Sequence, residues 1–387
     1  MLGGKVYDLV QQSPQFARVI VLRLIEGHCH HDAWNIDETR SDLKHGIAIA
    51  RVVGRVPIPY GCRPAPREPM HETPRIEPEQ TSSTLQIDAR LALGFQLLVI
   101  LTFCLIVLGA LVRANGAGLA CPDWPLCFGN LIPEIDVHVG FEWSHRVLAG
   151  SVTSVFAFLG WSVWRSSAHS RTVTALLLVG AVLISIQIIL GALTVWLKLA
   201  PWTVTAHLIT GNLFASTAFL LSLAFRARKD RRTARSVVSS RNRLWVAAMA
   251  GLLLIQLGLG GLVSSRYAGM ACPEWPTCAG GVWFPTWVGG IGIQLFHRMT
   301  AYALIACLGA AAFSCRNDAQ LRGATALAFA LGILQATVGI ASVSNGIPVE
   351  LTGLHTALAA ALVLTVVFAL HEAWPTLGER ELISATR

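Results

Sequence analysis

The sequence predicts an all-α polytopic membrane protein whose eight transmembrane helices form two parallel four-helix bundle repeats. Composition is the first reason: of 387 residues, 53% are hydrophobic and 13% are charged, whereas soluble domains carry about 25% charged residues. A bilayer core of about 30 Å requires about 20 apolar residues per helix. Eight such stretches follow one another, at roughly 90–112, 143–164, 172–196, 203–225, 244–264, 291–313, 323–343 and 351–373.

Positive charge is concentrated in alternate loops, although the whole chain has a net charge of only +8. Twelve Lys or Arg residues lie in three of these loops, at 165–171, 226–243 and 316–322. By the positive-inside rule, these loops and both termini face the cytoplasm. The other loops then face outward, at 113–141, 197–202 and 265–290. We therefore predict a protein of the bacterial inner (cell) membrane that contacts membrane lipid and binds no nucleic acid.

The segments outside the helices define the predicted domain boundaries. Residues 1–88 carry ten Lys or Arg and eleven Asp or Glu, with seven prolines in 57–78, which predicts a poorly ordered cytoplasmic extension. Its cluster His28-Cys29-His30-His31 lacks a second half at zinc-finger spacing, so we do not interpret it as a metal site. The remaining chain divides into an N-terminal half, a basic linker, a C-terminal half and a cytoplasmic tail, at 89–225, 226–243, 244–373 and 374–387.

An internal repeat relates the two halves. The cassette Cys-Pro-acid-Trp-Pro-x-Cys at 121–127 recurs 151 residues later, at 272–278. A stretch that begins with glutamine and ends with glycine, at 187–191, recurs 148 residues later, at 335–339. Because each half contains four helices, an even number, both halves enter the membrane from the same side. The repeats are therefore parallel rather than inverted.

Four histidines lie near the outer ends of the even-numbered helices. His145 and His207 of the first half recur as His297 and His355 of the second. Two imidazoles on facing helices of a four-helix unit are the ligands that a six-coordinate heme iron requires. Histidines that hydrogen-bond to neighbouring helices are the alternative. Zinc or copper is a weaker candidate, because two histidines leave such a site short of ligands.

An arginine follows the first histidine of each half directly. Arg146 comes after His145, and Arg298 comes after His297. A guanidinium pairs well with a carboxylate, so these arginines are candidate partners for heme propionates. Arginines whose side chains reach toward lipid headgroups are an equally good interpretation.

Two cysteine pairs lie in the predicted outer loops, Cys121/Cys127 and Cys272/Cys278. The outer compartment of a bacterium is oxidising, so both pairs are able to form disulfides. One interpretation is a structural staple for a loop that covers the site, and the other is a redox-active dithiol that accepts electrons. We favour the structural role for the second pair and leave both roles open for the first.

The two halves differ at one chemically important position. Glu142 lies three residues before His145, whereas the second half has Gln294 three residues before His297. On a helix this spacing places both side chains on neighbouring parts of one face. A carboxylate shielded from water is suited to proton abstraction, whereas an amide is not a base. The alternative is that Glu142 pairs with Arg146 or caps the helix N-terminus.

Together, these features resemble the heme A synthase family, over roughly residues 90–373. The resemblance rests on the duplicated eight-helix layout, the Glu-x-x-His-Arg stretch at 142–146, the four helical histidines and the outer cysteine pairs. It implies that the enzyme oxidises the C8 methyl group of heme O to a formyl group, giving heme A for terminal oxidases. Residues that match the family's motifs imply a substrate heme between His145 and His207, a permanent heme b between His297 and His355, and Glu142 as the essential carboxylate.

The resemblance also implies a mechanism and partners. Water is the expected oxygen source, Glu142 the proton acceptor, and heme b or the Cys121–Cys127 disulfide the electron relay to an unidentified electron acceptor. A membrane farnesyltransferase is the expected supplier of heme O. The alternative function is a bis-histidine cytochrome b-type transmembrane electron carrier, which explains four histidines and leaves the Glu142/Gln294 difference without a role.

Overall fold

The computed structural model describes residues 78–166, 170–229 and 237–374, and within these ranges it contains eight α-helices and no strand. The His28–His31 cluster, Cys29, Cys62 and the predicted tail after Trp374 lie outside the described residues. Every helix includes a segment long and apolar enough to cross a membrane, which confirms the predicted fold class. The helices are α1 (Pro78–Ala114), α2 (Val137–Arg165), α3 (Arg171–Trp196), α4 (Pro201–Lys229), α5 (Ser240–Ser265), α6 (Gly289–Ser314), α7 (Arg322–Ser344) and α8 (Val349–Ala373).

Two helices begin earlier than the hydropathy pattern predicts. The start of α1 at Pro78 lies inside the predicted extension 1–88. Helix α2 begins at Val137, because the Asp136 carboxylate accepts hydrogen bonds from the first free backbone N–H groups of the helix, at 2.8 and 2.9 Å. Such an N-cap stabilises a helix start whatever the hydropathy of the first turn. Glu142 and His145 therefore lie in the second and third turns of α2 rather than at its entrance.

Three helix contacts are common to the two halves. Helix α1 packs against α2 and α4, and α3 packs against α4; in the second half, α5 packs against α6 and α8, and α7 against α8. A glycine on the third helix of each half permits close approach to the second helix. A Cβ on Gly180 would lie 2.7 Å from the Phe156 ring, and one on Gly332 would lie 2.6 Å from Leu308, the counterpart of Phe156. Small residues at such contacts are typical of helix packing in membranes.

The two halves join through α1, α4, α5 and α8. Helix α4 contacts α5 and α8, and α1 contacts α8. Half of the most apolar window of α4 is buried, compared with 17% in α3 and α7, so α4 is central whereas α3 and α7 are peripheral. Pseudo-symmetric contacts form the joint: Gly261 of α5 lies against Thr205, and Gly353 of α8 lies against Leu111.

The apolar cores fill the ends of the bundles that lie away from the cysteine cassettes. In the first half, Phe95 in the middle of α1 stacks on Phe225 near the end of α4, with 5.7 Å between ring centroids. The second core includes Met249, Leu308 and Cys315, which are all buried. The histidines lie toward the opposite ends of the bundles, next to the cysteine cassettes.

Candidate functional site

Two cysteine-containing loops cover the ends of the helices that carry the histidines. The first Cys loop is residues 115–136, and the second Cys loop is residues 266–288. Both predicted disulfides, Cys121–Cys127 and Cys272–Cys278, are formed. All four half-cystines are at most 1% exposed, so each disulfide is the buried centre of its loop.

The arginines that follow His145 and His297 anchor these loops to the helices. Each guanidinium donates hydrogen bonds to three backbone carbonyls of its Cys loop, at corresponding positions. Arg146 binds the carbonyls of Cys121, Asp123 and Leu126, at 3.1, 2.6 and 2.5 Å. Arg298 binds those of Cys272, Glu274 and Thr277, at 2.6, 3.0 and 3.0 Å. Both arginines thus join a helix to a disulfide loop, and contact with propionates stays a prediction.

The acidic residue of each cassette closes the tip of its loop. Each carboxylate accepts hydrogen bonds from two consecutive backbone N–H groups, which belong to Phe128 and Gly129 in the first loop and to Gly280 and Gly281 in the second. The second turn is one residue longer, and there the repeat offset changes from 151 to 152 residues. Glutamate is one methylene longer than aspartate, and Glu274 caps this longer turn, whereas Asp123 caps the shorter one.

Hydrogen bonding lowers the pKa of both loop carboxyls. The main causes are the backbone N–H of Gly129 for Asp123, and the backbone N–H of Gly281 followed by the Thr277 hydroxyl for Glu274. Because the pKa is depressed in the folded state, the stabilisation is fully present above the unfolded-state pKa and is lost as the pH falls through the folded-state pKa. Both loop tips therefore keep their ionised caps at neutral pH.

Glu142 connects Arg146 to the first disulfide. Its side chain is buried; Oε1 accepts a hydrogen bond from Arg146 Nη2 at 2.6 Å, and Oε2 accepts one from the backbone N–H of Cys121 at 2.9 Å. The ion pair of the structural alternative is therefore present. The capping alternative is wrong, because Asp136 caps α2. In the second half, Gln294 is equally buried, and its Oε1 has no hydrogen-bond partner among the described residues.

Each of the four histidines lies against a glycine of a neighbouring helix. A Cβ built on the glycine would come within 3.0 to 3.7 Å of the imidazole Cε1. The pairs are Gly109/His145, Gly191/His207, Gly260/His297 and Gly339/His355. The glycines also recur between the halves, 151 residues apart for Gly109 and Gly260 and 148 residues apart for Gly191 and Gly339, and this regularity is the signal by which sequence comparison would have found them. All four histidine residues are half-buried.

Hydrogen bonding distinguishes one histidine from the other three. The Nδ1 atoms of His145, His207 and His355 are buried and have no partner within the described part of the chain. His297 Nδ1 instead lies 3.1 Å from the side-chain nitrogen of Gln256, a residue that the sequence analysis did not single out. His145 and His207 lie on α2 and α4, and His297 and His355 lie on α6 and α8, so each half contains one histidine pair.

The sequence is similar to known proteins over most of its helical region. A family model described as cytochrome oxidase assembly protein (COX15-CtaA) matches residues 95–141 and 134–367. A heme A synthase of Shewanella oneidensis is 31% identical over 320 residues, which cover 72% of this chain and 93% of the relative. The chain belongs to the heme A synthase family. A heme A synthase of Halalkalibacterium halodurans is 28% identical over 266 residues, covering 67% of this chain and 87% of the relative.

Family membership extends over both halves. The matched residues include all four histidines, Glu142, Gln294 and both Cys loops, and the eight helices make this member a multi-pass membrane protein. The described residues contain no group of three or more His, Cys, Asp or Glu side chains that would hold a metal ion by themselves.

Proposed function

We propose that this protein is a heme A synthase, which oxidises the C8 methyl group of heme O to a formyl group and so produces heme A. The observation that carries the proposal is the difference between the two otherwise matching sites. One buried carboxylate, Glu142, lies three residues before the histidine of the first half, and Gln294 replaces it in the second. One half therefore has a proton acceptor beside its histidines, and the other does not.

The residues present fit a heme in each half. His145 and His207 would hold the iron of the substrate heme, and His297 and His355 the iron of heme b. The half-buried imidazoles, the glycines beside them and the buried Nδ1 atoms without partners support this assignment. Heme b, when bound, supplies one-electron redox chemistry. Arg146 and Arg298 place a positive charge next to each site, which would also attract propionates.

The proposed oxidation balances with water as the oxygen source. The methyl group and one water give a hydroxymethyl group, two protons and two electrons. The hydroxymethyl group and a second water give a hydrated aldehyde, again with two protons and two electrons. Dehydration then yields the formyl group. Glu142 would accept the protons, and Arg146 together with the Cys121 N–H would hold its carboxylate in place. The electrons require an acceptor. The Cys121–Cys127 disulfide, or a heme b held by His297 and His355, would relay them to it.

The surroundings of this reaction are part of the proposal. We place the protein in the bacterial inner membrane, with both termini cytoplasmic and the Cys loops outside, because the basic loops lie at the opposite ends of the helices. Heme O is then supplied by a membrane farnesyltransferase. The predicted halves, 89–225 and 244–373, correspond to the substrate and heme b sites.

The glycine beside His145 provides a test of the first heme site. In Gly109→Ala, the new methyl group would lie 3.0 Å from His145 Cε1, so we expect the ring to shift and binding of heme O to weaken by about tenfold. Gly191→Ala is the matched control, because its methyl group would lie an ordinary 3.7 Å from His207. Heme O titration followed by Soret absorbance measures both. Equal affinities in the two variants would contradict the assignment.

Heme analysis of the purified protein tests the function itself. The protein is expressed with and without a source of heme O, and its extracted hemes are separated by chromatography. We expect heme b in both preparations and heme A only when heme O is supplied. A preparation that contains heme b alone under both conditions would instead identify a bis-histidine electron carrier. A protein without any heme would reject both functions.

A further inference from the structure

We propose that Gln256 and Thr300 form a positioning pair that makes the second half retain its heme, whereas their apolar counterparts allow the first half to exchange its heme. The inference rests on the proposed function, because it assumes one heme in each half. It concerns a difference between the halves that is separate from Glu142 and Gln294. It explains how two nearly identical sites hold a substrate that must leave and a cofactor that must stay.

The contacts of Gln256 restrain His297 from two sides. Its side-chain nitrogen lies 3.1 Å from His297 Nδ1 and donates to the His297 backbone carbonyl at 3.2 Å. The Thr300 hydroxyl hydrogen-bonds to the amide oxygen of Gln256 and lies 3.1 Å from the His297 carbonyl. A carbonyl only accepts hydrogen bonds, so its position directs the NH₂ end of the amide toward the histidine. Gln256 on α5 thereby holds the ring of a residue on α6.

The pair suits an imidazole whose Nε2 binds iron. In that state Nδ1 carries the proton and requires an acceptor. An amide that turns over presents its oxygen to Nδ1–H, and the Thr300 hydroxyl then accepts from the NH₂ group instead of donating to the oxygen. A hydroxyl performs either role. Gln256 and Thr300 are therefore able to give Nδ1 a partner in both protonation states, although the turned-over amide no longer donates to the His297 carbonyl.

The first half has no such pair at His145; its Gln187 and Thr210 lie beside His207, but Gln187 donates only to the His207 backbone carbonyl and to the Thr210 hydroxyl, and the His207 Nδ1 has no partner among the described residues. The repeat offsets of 151 and 152 residues place Leu105 at the position of Gln256 and Leu148 at the position of Thr300. Leucine side chains donate and accept no hydrogen bonds, and His145 Nδ1 accordingly has no partner among the described residues. The glutamine on the third helix of each half, by contrast, is present in both, as Gln187 and Gln335. The threonine that Gln187 contacts, Thr210, is replaced by Leu358 in the second half. The difference that reaches an imidazole nitrogen therefore lies on the α1/α2 and α5/α6 pairs.

A restrained ligand binds iron more tightly than a free one. Less side-chain freedom is lost on binding when the ring is already held, and a hydrogen bond to Nδ1–H makes Nε2 a stronger donor. Loss of such supporting residues typically weakens metal affinity by about 10- to 100-fold. A difference of this size in heme affinity between the two halves would make one heme exchangeable and the other permanent.

The test measures heme loss rather than activity. In a His145→Ala background, the heme that remains belongs to the second half, and its transfer to excess apomyoglobin is followed by absorbance. We expect Gln256→Leu, which copies the first half, to accelerate transfer by about 10- to 100-fold. Thr300→Val should accelerate transfer less, because Gln256 then loses its hydrogen bond to Thr300 but still contacts His297. Gln256→Glu should keep transfer slow, because a carboxylate still accepts from Nδ1–H.

Two outcomes would overturn the inference. One is an unchanged transfer rate in Gln256→Leu, and the other is a rate in Gln256→Glu as fast as that in Gln256→Leu, which would show that packing and not hydrogen bonding holds the heme. Size-exclusion profiles and intact disulfides identify any variant that misfolds. Failure of the proposed function looks different: the starting protein would contain no heme, or His297→Ala would retain all of it.

Discussion

Glu142→Gln is expected to stop heme A formation while heme O remains bound. The substitution removes the proton acceptor and leaves His145 and His207 in place. General base catalysis contributes about 10²- to 10⁴-fold to a rate, so heme A should fall at least about 100-fold relative to the unmodified protein. The measurement is chromatographic analysis of extracted hemes after expression with a heme O source. Heme O should accumulate in the variant, and heme b should be unchanged.

The second half shows that this variant can fold. Arg298 binds its three loop carbonyls with Gln294 beside it, so Arg146 should bind the first Cys loop in the same way when Glu142 is replaced by glutamine. The matched control is Gln294→Glu, which should leave heme A formation unaffected. Thiol labelling verifies that Cys121–Cys127 remains oxidised. Undiminished heme A in Glu142→Gln, with heme O bound, would refute the catalytic role of the carboxylate.

Replacing single histidines should remove one heme at a time. His297→Ala or His355→Ala should lower heme b to roughly a tenth of its normal content or less. Loss of a residue that only supports a ligand already costs about 10- to 100-fold in affinity, and loss of the ligand itself costs more. His145→Ala or His207→Ala should leave heme b in place and abolish binding of heme O. Pyridine hemochrome spectra and extracted hemes distinguish these outcomes, since each variant should retain the heme of the other half.

His138→Ala is the control for these four variants. His138 is exposed in the first turn of α2, so its replacement should change neither heme. Loss of both hemes from any single ligand variant would indicate that the two halves do not bind heme independently. Retention of heme b in both His297→Ala and His355→Ala would reject the assignment of the second site.

Much of the architecture was predictable because a membrane simplifies the relation between sequence and structure. A helix that crosses a bilayer satisfies its own backbone hydrogen bonds, so its length and hydropathy reveal it without knowledge of its neighbours. The prediction of eight membrane-spanning helices was correct for this reason. Their starts were less predictable, because the Asp136 cap that begins α2 depends on local hydrogen bonds that a hydropathy window does not detect.

The repeat extended what sequence comparison could establish. Because the two halves repeat one four-helix unit, each position in one half can be compared with its counterpart in the other. This comparison singled out Glu142, because Gln294 occupies the matching position. The same comparison also contained the pair Gln256/Leu105. It was overlooked because neither residue is ionisable and nothing in the sequence places Gln256 beside His297, 41 residues away.

The sequence by itself determined the number of helices, their duplication, the cysteine pairs and the four histidines, since each is a property of spacing or composition. Only the tertiary structure decided which groups meet. It showed that Arg146 and Arg298 bind the carbonyls of their Cys loops, that Glu142 connects Arg146 to Cys121, and that a glycine lies against every imidazole. These contacts join residues on different helices and loops, and helix rotation and packing, which the apolar pattern leaves undetermined, set them.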